Sequence, residues 1–238
     1  INTGGEKSSF IDCIVEDGGP LTSRKGVNVP GTTIDLPAIG AKDKLALDHA
    51  IKSGADWIAV SYVRSAEDIR PARDAIKAAG VHTPIIAKIE HPAALKNLQS
   101  ILNAADGVMV ARGDLGVQLP IEKVPFVQKQ ILDAANRKGK ISITATEMLQ
   151  SMKSSYRPTR AEVTDITNAI LEGSDAVMLS AETSIGDHPN RVIEVMSNIC
   201  KEVDSRNDTS SLLSKEDSKE DSFTTTLARA AVQIADDI

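Results

Sequence analysis

The sequence is poor in aromatic residues and in cysteine. Aromatic side chains account for 3% of the 238 residues, which leaves few rings on which the bases of a single-stranded nucleic acid could stack. The net charge of −6 further argues against a general nucleic-acid-binding surface. The two cysteines, Cys13 and Cys200, are far apart and lack the spacing of metal ligands, so we predict reduced thiols in a cytoplasmic protein.

Long apolar runs and the glycine pattern of dinucleotide-binding proteins are also missing. No run of about 18 or more apolar residues occurs, and the first residues do not resemble a signal peptide, so we predict no membrane association. No Gly-x-Gly-x-x-Gly motif opens a helix after a predicted strand, which argues against a Rossmann-type site. The remaining composition, 41% hydrophobic and 25% charged, is that of an ordinary globular protein.

Five short apolar segments recur along the middle of the chain, spaced by about the length of a strand–loop–helix unit. Each is almost continuously apolar, as expected for parallel strands that are buried on both faces. The alternation of strands and helices predicts parallel strands joined by right-handed crossovers. The segments begin at Trp57, Pro84, Gly107, Ile141 and Ala176.

The predicted helices have recognisable first and last turns. Ser65 is a candidate N-cap with Asp68 three residues later, and Thr159 with Glu162 has the pattern of a capping box. Gly80 follows the first of these helices, as expected for a helix C-terminus. These signals mark where the predicted helices begin and end.

Polar side chains follow the predicted strands and distinguish a barrel from an open sheet. In (β/α)8 barrels the functional residues come from the carboxyl ends of several successive strands, whereas an open sheet concentrates them at one switch point. We therefore predict an α/β fold of the parallel (β/α)8 TIM-barrel type, with about five of its eight βα units in this chain. The polar residues are Tyr62, Arg64, Lys88, Glu90, Asp114, Thr146, Ser180 and Glu182.

The predicted domain organisation has four parts. Residues 1–30 combine turn signals with short apolar stretches and are predicted to be the end of an inserted β domain. Residues 31–204 form the partial barrel, and residues 205–222, rich in serine and charged residues, form a linker. Residues 223–238 resume an amphipathic pattern and are predicted to begin a C-terminal domain.

Charged residues at the ends of two neighbouring strands suggest a functional site. Lys88 and Glu90 are two residues apart, so on a strand they point to the same face, and Asp114 follows the next strand. The carboxylates suit a divalent cation such as Mg²⁺, and the lysine suits an anionic substrate. A structural ion pair between Lys88 and Glu90, with Asp114 capping a helix, is the alternative interpretation.

Seven segments, in this order, resemble the pyruvate kinase family. The resemblance runs from about residue 15 to residue 204; each segment alone is a weak signal, but together they are highly specific. The segments are SRKGVNVPG (23–31), SYVR (61–64), KIE (88–90), MVARGDLG (109–116), ATEML (145–149), RPTRAE (157–162) and MLSAET (178–183).

The resemblance implies a glycolytic phosphotransferase that transfers a phosphoryl group from phosphoenolpyruvate to ADP, giving pyruvate and ATP. In the family, the carboxylates that match Glu90 and Asp114 hold Mg²⁺ or Mn²⁺. The lysine that matches Lys88 lies against the transferring phosphoryl group. The resemblance therefore implies Lys88 as a catalytic and substrate-binding residue, and Glu90 and Asp114 as metal ligands.

The resemblance also implies roles for three further positions. The turn at Gly113 and Asp114 matches the family's substrate-binding turn. Thr146 matches a threonine that contacts the substrate near the point where the enolate is protonated, and Ser180 is a candidate for the proton path. Thr146 as a helix N-cap is the alternative. Glu147 stands where the family often has glutamine, which adds a negative charge beside the site.

The family pattern extends beyond this chain. It implies a K⁺ ion whose ligands lie outside these residues, further barrel units, and a cytoplasmic homotetramer as the complete protein. Five parallel strands without the rest of a barrel would expose two open edges. We therefore expect the 238-residue segment alone to fold poorly or aggregate and to be inactive.

Two other functions remain as alternatives. One is a non-catalytic paralogue or split subunit that binds phosphoenolpyruvate or a partner chain. The other is a related enzyme of enolate chemistry, such as an aldolase or lyase. The retained set of Lys88, Glu90, Asp114 and Thr146 disfavours the first, and the order of the seven segments disfavours the second.

Overall fold

The structure, a computed structural model, describes residues 13–20, 22–23, 26–27, 29, 37–206 and 223–236. The β-domain end predicted for residues 1–30 lies largely outside the described residues, and so does almost all of the linker predicted for residues 205–222. The division into four domains therefore stays a prediction.

Five parallel strands form one sheet, and each pairs with its neighbours in sequence. The order runs from first to last without the reversal that defines a doubly wound sheet. This is the arrangement of consecutive barrel strands, and it confirms the predicted partial (β/α)8 architecture. The strands are β1 (Ile58–Val60), β2 (Ile85–Ile89), β3 (Gly107–Ala111), β4 (Ile141–Ala145) and β5 (Ala176–Met178).

Helices connect successive strands, and in the described residues none is both long and apolar enough to cross a bilayer. Short 3₁₀ turns cover Ala66–Asp68, Ile121–Lys123 and Gln150–Lys153. The helices are α1 (Ala41–Lys52), α2 (Arg70–Ala78), α3 (Pro92–Lys96), α4 (Leu98–Ala104), α5 (Arg112–Gln118), α6 (Val124–Arg137), α7 (Arg160–Leu171), α8 (Ala181–Ser184), α9 (Pro189–Arg206) and α10 (Phe223–Asp236).

The predicted helix boundaries are confirmed by hydrogen bonds. The Ser65 amide donates to Oδ2 of Asp68 at 3.2 Å, at the start of the 3₁₀ turn that leads into α2. The Thr159 amide donates to Oε2 of Glu162 at 2.7 Å, and Oγ1 of Thr159 accepts from the Glu162 amide at 3.2 Å. Gly80 follows α2 with a φ of +71°, a conformation that glycine adopts without strain.

The sheet has two apolar faces with different surroundings. One face packs against the helices through side chains such as Ile85 and Ile89 of β2 and Val108 of β3, all without exposed surface. The other face carries a separate apolar layer that includes Ile86 and Met109. Because side chains alternate along a strand, Lys88 lies on the same face as Ile86. It is two residues nearer the carboxyl end of β2.

Candidate active site

The carboxyl ends of the parallel strands lie along one edge of the sheet, which we call the carboxyl edge. It comprises the last residues of β1 to β5 and the short segments that follow them. Lys88 pairs with Met109 and Ile89 with Val110, so the ends of β2 and β3 are level with each other. Glu90 follows β2 directly, and Asp114 is the third residue of α5, which begins where β3 ends. The two carboxylates predicted as metal ligands are therefore on the same edge.

Glu90 is almost fully buried and both of its carboxylate oxygens are engaged. Its residue exposure is 1%. Oε1 lies 2.5 Å from Nζ of Lys88, and Oε2 accepts a 2.7 Å hydrogen bond from the Tyr62 amide. Lys88 Nζ also donates to Oγ of Ser61 at 2.9 Å, and the Lys88 side chain keeps 24% of its surface exposed. The ion pair between Lys88 and Glu90, which the alternative interpretation predicted, is thus present. Solvent still reaches the lysine side chain.

Asp114 lies beside the same group of charges. The pKa of the Tyr62 phenol is raised, first by burial and then by the negative charges of Asp114 and Glu90, while the Lys88 ammonium acts to lower it. All three charged side chains therefore lie close enough to Tyr62 to act on its pKa. Within the described part of the chain, no donor forms a hydrogen bond or ion pair with the Asp114 carboxylate, which is only partly buried.

Carboxylate oxygens are by their chemistry suited to a hard divalent cation. Asp114 offers oxygens without a protein partner among the described residues, and Glu90 contributes a buried, oriented carboxylate. Across the same residues no cluster of three or more acidic, histidine or cysteine side chains is arranged to hold a metal. Two carboxylates completed by water and substrate oxygens are how Mg²⁺ is commonly bound in phosphoryl-transfer enzymes.

Thr146 follows β4 directly and has a backbone conformation that is rare for its residue type. Its φ is +70°, and that of Glu147 is +55°. A β-branched residue in the left-handed region is strained, and such strain is often found at functional sites. Oγ1 of Thr146 accepts a 2.8 Å hydrogen bond from the Gly113 amide, which links the ends of β3 and β4. A Cβ at Gly113 would lie 3.4 Å from this oxygen, an ordinary contact, so Thr146 alone does not require glycine there.

Ser180 lies at the same edge, two residues after β5. Its amide donates to Oε2 of Glu182 at 3.0 Å, and Oε1 of Glu182 accepts from the Leu149 amide at 3.3 Å. Glu182 has no exposed surface and so ties the segment after β5 to the segment after β4. The structure brings Ser180 to the carboxyl edge but shows no contact between it and Lys88, Glu90 or Asp114.

The sequence interpretation missed two elements of the site. One is Arg112, whose buried guanidinium contacts the Thr146–Glu147 turn. The other is the anchoring role of the Ser61–Tyr62 segment, because Oγ of Ser61 accepts from Lys88 and the Tyr62 amide donates to Glu90. Both lie inside segments that the resemblance identifies, so the segments pointed to the right place without giving the contacts.

The comparisons with known proteins all identify the same family. Residues 2–193 match the sequence model of the pyruvate kinase barrel domain. The chain is 50% identical over 194 residues to pyruvate kinase 2 of Synechocystis sp., covering 82% of this chain and 33% of that protein. It is 45% identical over 200 residues to pyruvate kinase of Leishmania mexicana, covering 84% and 40%. For pyruvate kinase of Thermococcus litoralis the identity is 46% over 195 residues, covering 82% and 41%. The chain thus spans between a third and about two fifths of the length of these relatives.

Proposed function

This chain belongs to the pyruvate kinase family, and from that premise we propose that a full-length protein carrying it transfers the phosphoryl group of phosphoenolpyruvate to ADP. The products would be pyruvate and ATP. One observation carries the proposal: Lys88 and Glu90 form an ion pair at the end of β2, and Asp114 follows β3 on the same carboxyl edge. That edge is where barrel enzymes build their active sites.

Lys88 supplies a fixed positive charge in this proposal. Phosphoryl transfer develops negative charge on the phosphoryl oxygens, and enzymes accelerate it chiefly by positioning and by electrostatic stabilisation. The ammonium is oriented by Oε1 of Glu90 and Oγ of Ser61, so its direction is set before substrate binds. Its partial exposure leaves room for an anionic ligand to approach.

Glu90 and Asp114 would hold the divalent ion, Mg²⁺ or Mn²⁺. When bound, the ion would supply positive charge to substrate oxygens. Glu90 contributes an oriented carboxylate because the Tyr62 amide holds its second oxygen. A K⁺ ion is also expected from the family resemblance, with ligands outside this chain.

Thr146 and Ser180 are proposed to serve the enolate side of the reaction. Because Oγ1 of Thr146 accepts from the Gly113 amide, its own hydroxyl proton is free to be donated towards a substrate oxygen or carbon. Gly113 belongs to the proposed substrate-binding turn and contributes here by fixing that hydroxyl. Ser180 is proposed as a member of the proton path.

The wider assignments follow the same premise. We propose a cytoplasmic homotetramer as the complete protein, with the four-part domain organisation predicted from the sequence. A non-catalytic paralogue or split subunit is not favoured, because Lys88, Glu90, Asp114 and Thr146 are all retained at one edge.

The deciding experiment is a coupled assay on a full-length protein carrying this segment. ATP and pyruvate formation should require phosphoenolpyruvate, ADP and a divalent cation together. Binding of phosphoenolpyruvate without turnover would contradict the proposal and favour the non-catalytic alternative. Turnover of phosphoenolpyruvate that does not depend on ADP would favour the related enolate chemistry.

A further inference from the structure

Arg112 is a buried arginine whose guanidinium makes contacts on three sides. It is the first residue of α5 and has an exposure of 8%. Nη1 donates to both carboxylate oxygens of Asp165, at 2.8 and 2.7 Å, and lies 3.4 Å from Oε1 of Gln128. Nη2 donates to the carbonyl oxygen of Thr146 at 2.7 Å and to that of Glu147 at 3.3 Å. Nε also reaches the Thr146 carbonyl, at 3.3 Å.

The two carbonyls that Arg112 contacts belong to the two strained residues of the β4 turn. Thr146 and Glu147 both have φ in the left-handed region, at +70° and +55°. Such conformations are costly for residues other than glycine and persist only where surrounding contacts over-determine them. Among the described residues, Arg112 is the side chain that hydrogen-bonds to both carbonyls.

Given the proposed function, we infer that Arg112 is a positioning residue for Thr146. Its guanidinium holds the Thr146–Glu147 turn in the left-handed conformation, and this conformation keeps Oγ1 of Thr146 on the Gly113 amide. Arg112 and Gly113 are adjacent, so the same turn of α5 holds Thr146 from both its carbonyl and its hydroxyl side. Arg112 therefore acts on catalysis through Thr146 and not by contact with substrate.

The network behind Arg112 explains why arginine is needed. Asp165 lies on α7 and Gln128 on α6, and Nε2 of Gln128 donates to Oε2 of Glu172 at 2.9 Å. The guanidinium thus joins two helices to the carboxyl edge. Its planar fork presents five donors in fixed directions, whereas a lysine ammonium is a single point on a flexible stem. A lysine at this position could keep the charge pair with Asp165 but not the two carbonyl contacts.

Arg73 offers a matched control at the opposite edge of the same sheet. Its Nη2 donates to the Ala104 carbonyl at 2.9 Å and to Oδ2 of Asp106 at 2.7 Å. Asp106 directly precedes β3 and accepts a 2.8 Å hydrogen bond from the Ile85 amide. Arg73 therefore has the same kinds of partner as Arg112, a backbone carbonyl and a carboxylate. It lies far along the strands from the carboxyl edge.

The first test compares Arg112→Lys with Arg73→Lys in the full-length protein. For Arg112→Lys we expect kcat to fall by about 10²-fold, because a small displacement of a positioned group has an effect of this size. KM for phosphoenolpyruvate should change by less than about threefold, because Arg112 does not contact substrate. Arg73→Lys should leave kcat unchanged. Equal kcat in the two variants would overturn the inference, as would a loss confined to KM.

The second test is a double-mutant cycle with Thr146→Val, which removes the hydroxyl and keeps the β-branched shape. If Arg112 acts through that hydroxyl, adding Arg112→Lys to Thr146→Val should lower kcat by less than about threefold. A purely structural role of Arg112 would make the two losses multiply. Thr146→Ser, which keeps the hydroxyl, should restore the full sensitivity to Arg112→Lys.

The outcomes separate this inference from the proposed function. An inactive wild-type protein would contradict the function itself, whereas an active one with an insensitive Arg112→Lys variant would contradict only the inference. If Arg112→Lys fails to unfold cooperatively, Asp165→Asn serves instead, since it removes the charge that anchors the guanidinium. We then expect about a tenfold loss in kcat. A fully active Asp165→Asn variant would overturn the inference.

Discussion

The backbone amide of Tyr62 donates a 2.7 Å hydrogen bond to Oε2 of Glu90 and joins the ends of β1 and β2. The donor residue has a φ of +54°, a conformation that is uncommon for tyrosine. Since Lys88 engages the other oxygen, the buried carboxylate has a partner on each side, as a buried charge requires. The orientation of this proposed metal ligand is therefore part of the folded protein.

Replacing Lys88 with methionine should abolish most of the activity. The substitution removes the ammonium proposed to face the transferring phosphoryl group, and loss of one such electrostatic contact lowers kcat by at least about 10²–10³-fold. The measurement is kcat in the coupled assay on the full-length protein. Lys140→Met is the matched control, because Lys140 Nζ donates to the Ala105 carbonyl at 2.9 Å, at the amino ends of the strands. An unchanged rate for Lys88→Met would refute the role of this lysine.

Removing one proposed metal ligand should raise the divalent cation requirement. For Asp114→Asn we expect the Mn²⁺ concentration that gives half-maximal activity to rise by about tenfold or more. Direct Mn²⁺ binding, measured by electron paramagnetic resonance, should weaken in parallel. Asp106→Asn is the control, since Asp106 pairs with Arg73 away from the carboxyl edge and should leave Mn²⁺ binding unaffected. Equal Mn²⁺ affinity in both variants would show that Asp114 is not a ligand.

The capping box at the start of α7 should make the protein sensitive to acid. Burial acts to raise the pKa of Glu162, but hydrogen bonds from Ser151 and Thr159 outweigh it, so the pKa lies below its ordinary value of 4.5. A lowered pKa in the folded state stabilises the protein above that value, and the stabilisation is lost as the pH falls through the folded-state pKa.

Glu162→Gln tests this pH dependence through the melting temperature of the full-length protein. The variant should melt several degrees below wild type at neutral pH, because the carboxylate accepts four hydrogen bonds that an amide cannot reproduce. The difference should shrink as the pH falls below about 4.5. For Glu122→Gln, at an exposed position, the difference in melting temperature from wild type should not shrink in this way as the pH falls. A difference that stays constant across the pH range would contradict the prediction.

The 238-residue segment expressed alone should aggregate and lack activity. In the described sheet, β1 and β5 each have a single strand partner, so both edges present unpaired backbone groups. Ile141, at the start of β4, is also 40% exposed. Size-exclusion chromatography and thermal unfolding provide the check. A monodisperse, cooperatively melting and active species would prove this prediction wrong.

Much of the fold and the position of the candidate site follow from simple periodicities. Continuous apolar runs gave the five strands, and the parallel direction placed Glu90 and Asp114 on one edge. The spacing of two between Lys88 and Glu90 was enough to predict that both side chains share a face. The N-terminal helix signals at Ser65 and Thr159 were visible because their partners are three residues away. Signals of this kind are local, so the sequence displays them directly.

The contacts that orient the site were not visible in this way. Arg112 binds groups at positions 128, 146, 147 and 165, which belong to three different segments and meet only after folding. The left-handed backbone of Tyr62 and Thr146 is equally hidden, because neither residue type favours it. Tertiary contacts impose these conformations, and no local pattern records them.

The positive φ angles at Tyr62, Thr146 and Glu147 have a practical consequence for protein engineering. Transplanting the lysine, the acids and the threonine onto a different scaffold would copy the functional side chains. It would not copy the backbone torsion angles that orient them. A graft would need both strained loops, and the Thr146–Glu147 loop would also need the arginine that holds it. Glycine in place of Glu147 would relieve strain beside the threonine and leave its side chain without a fixed direction.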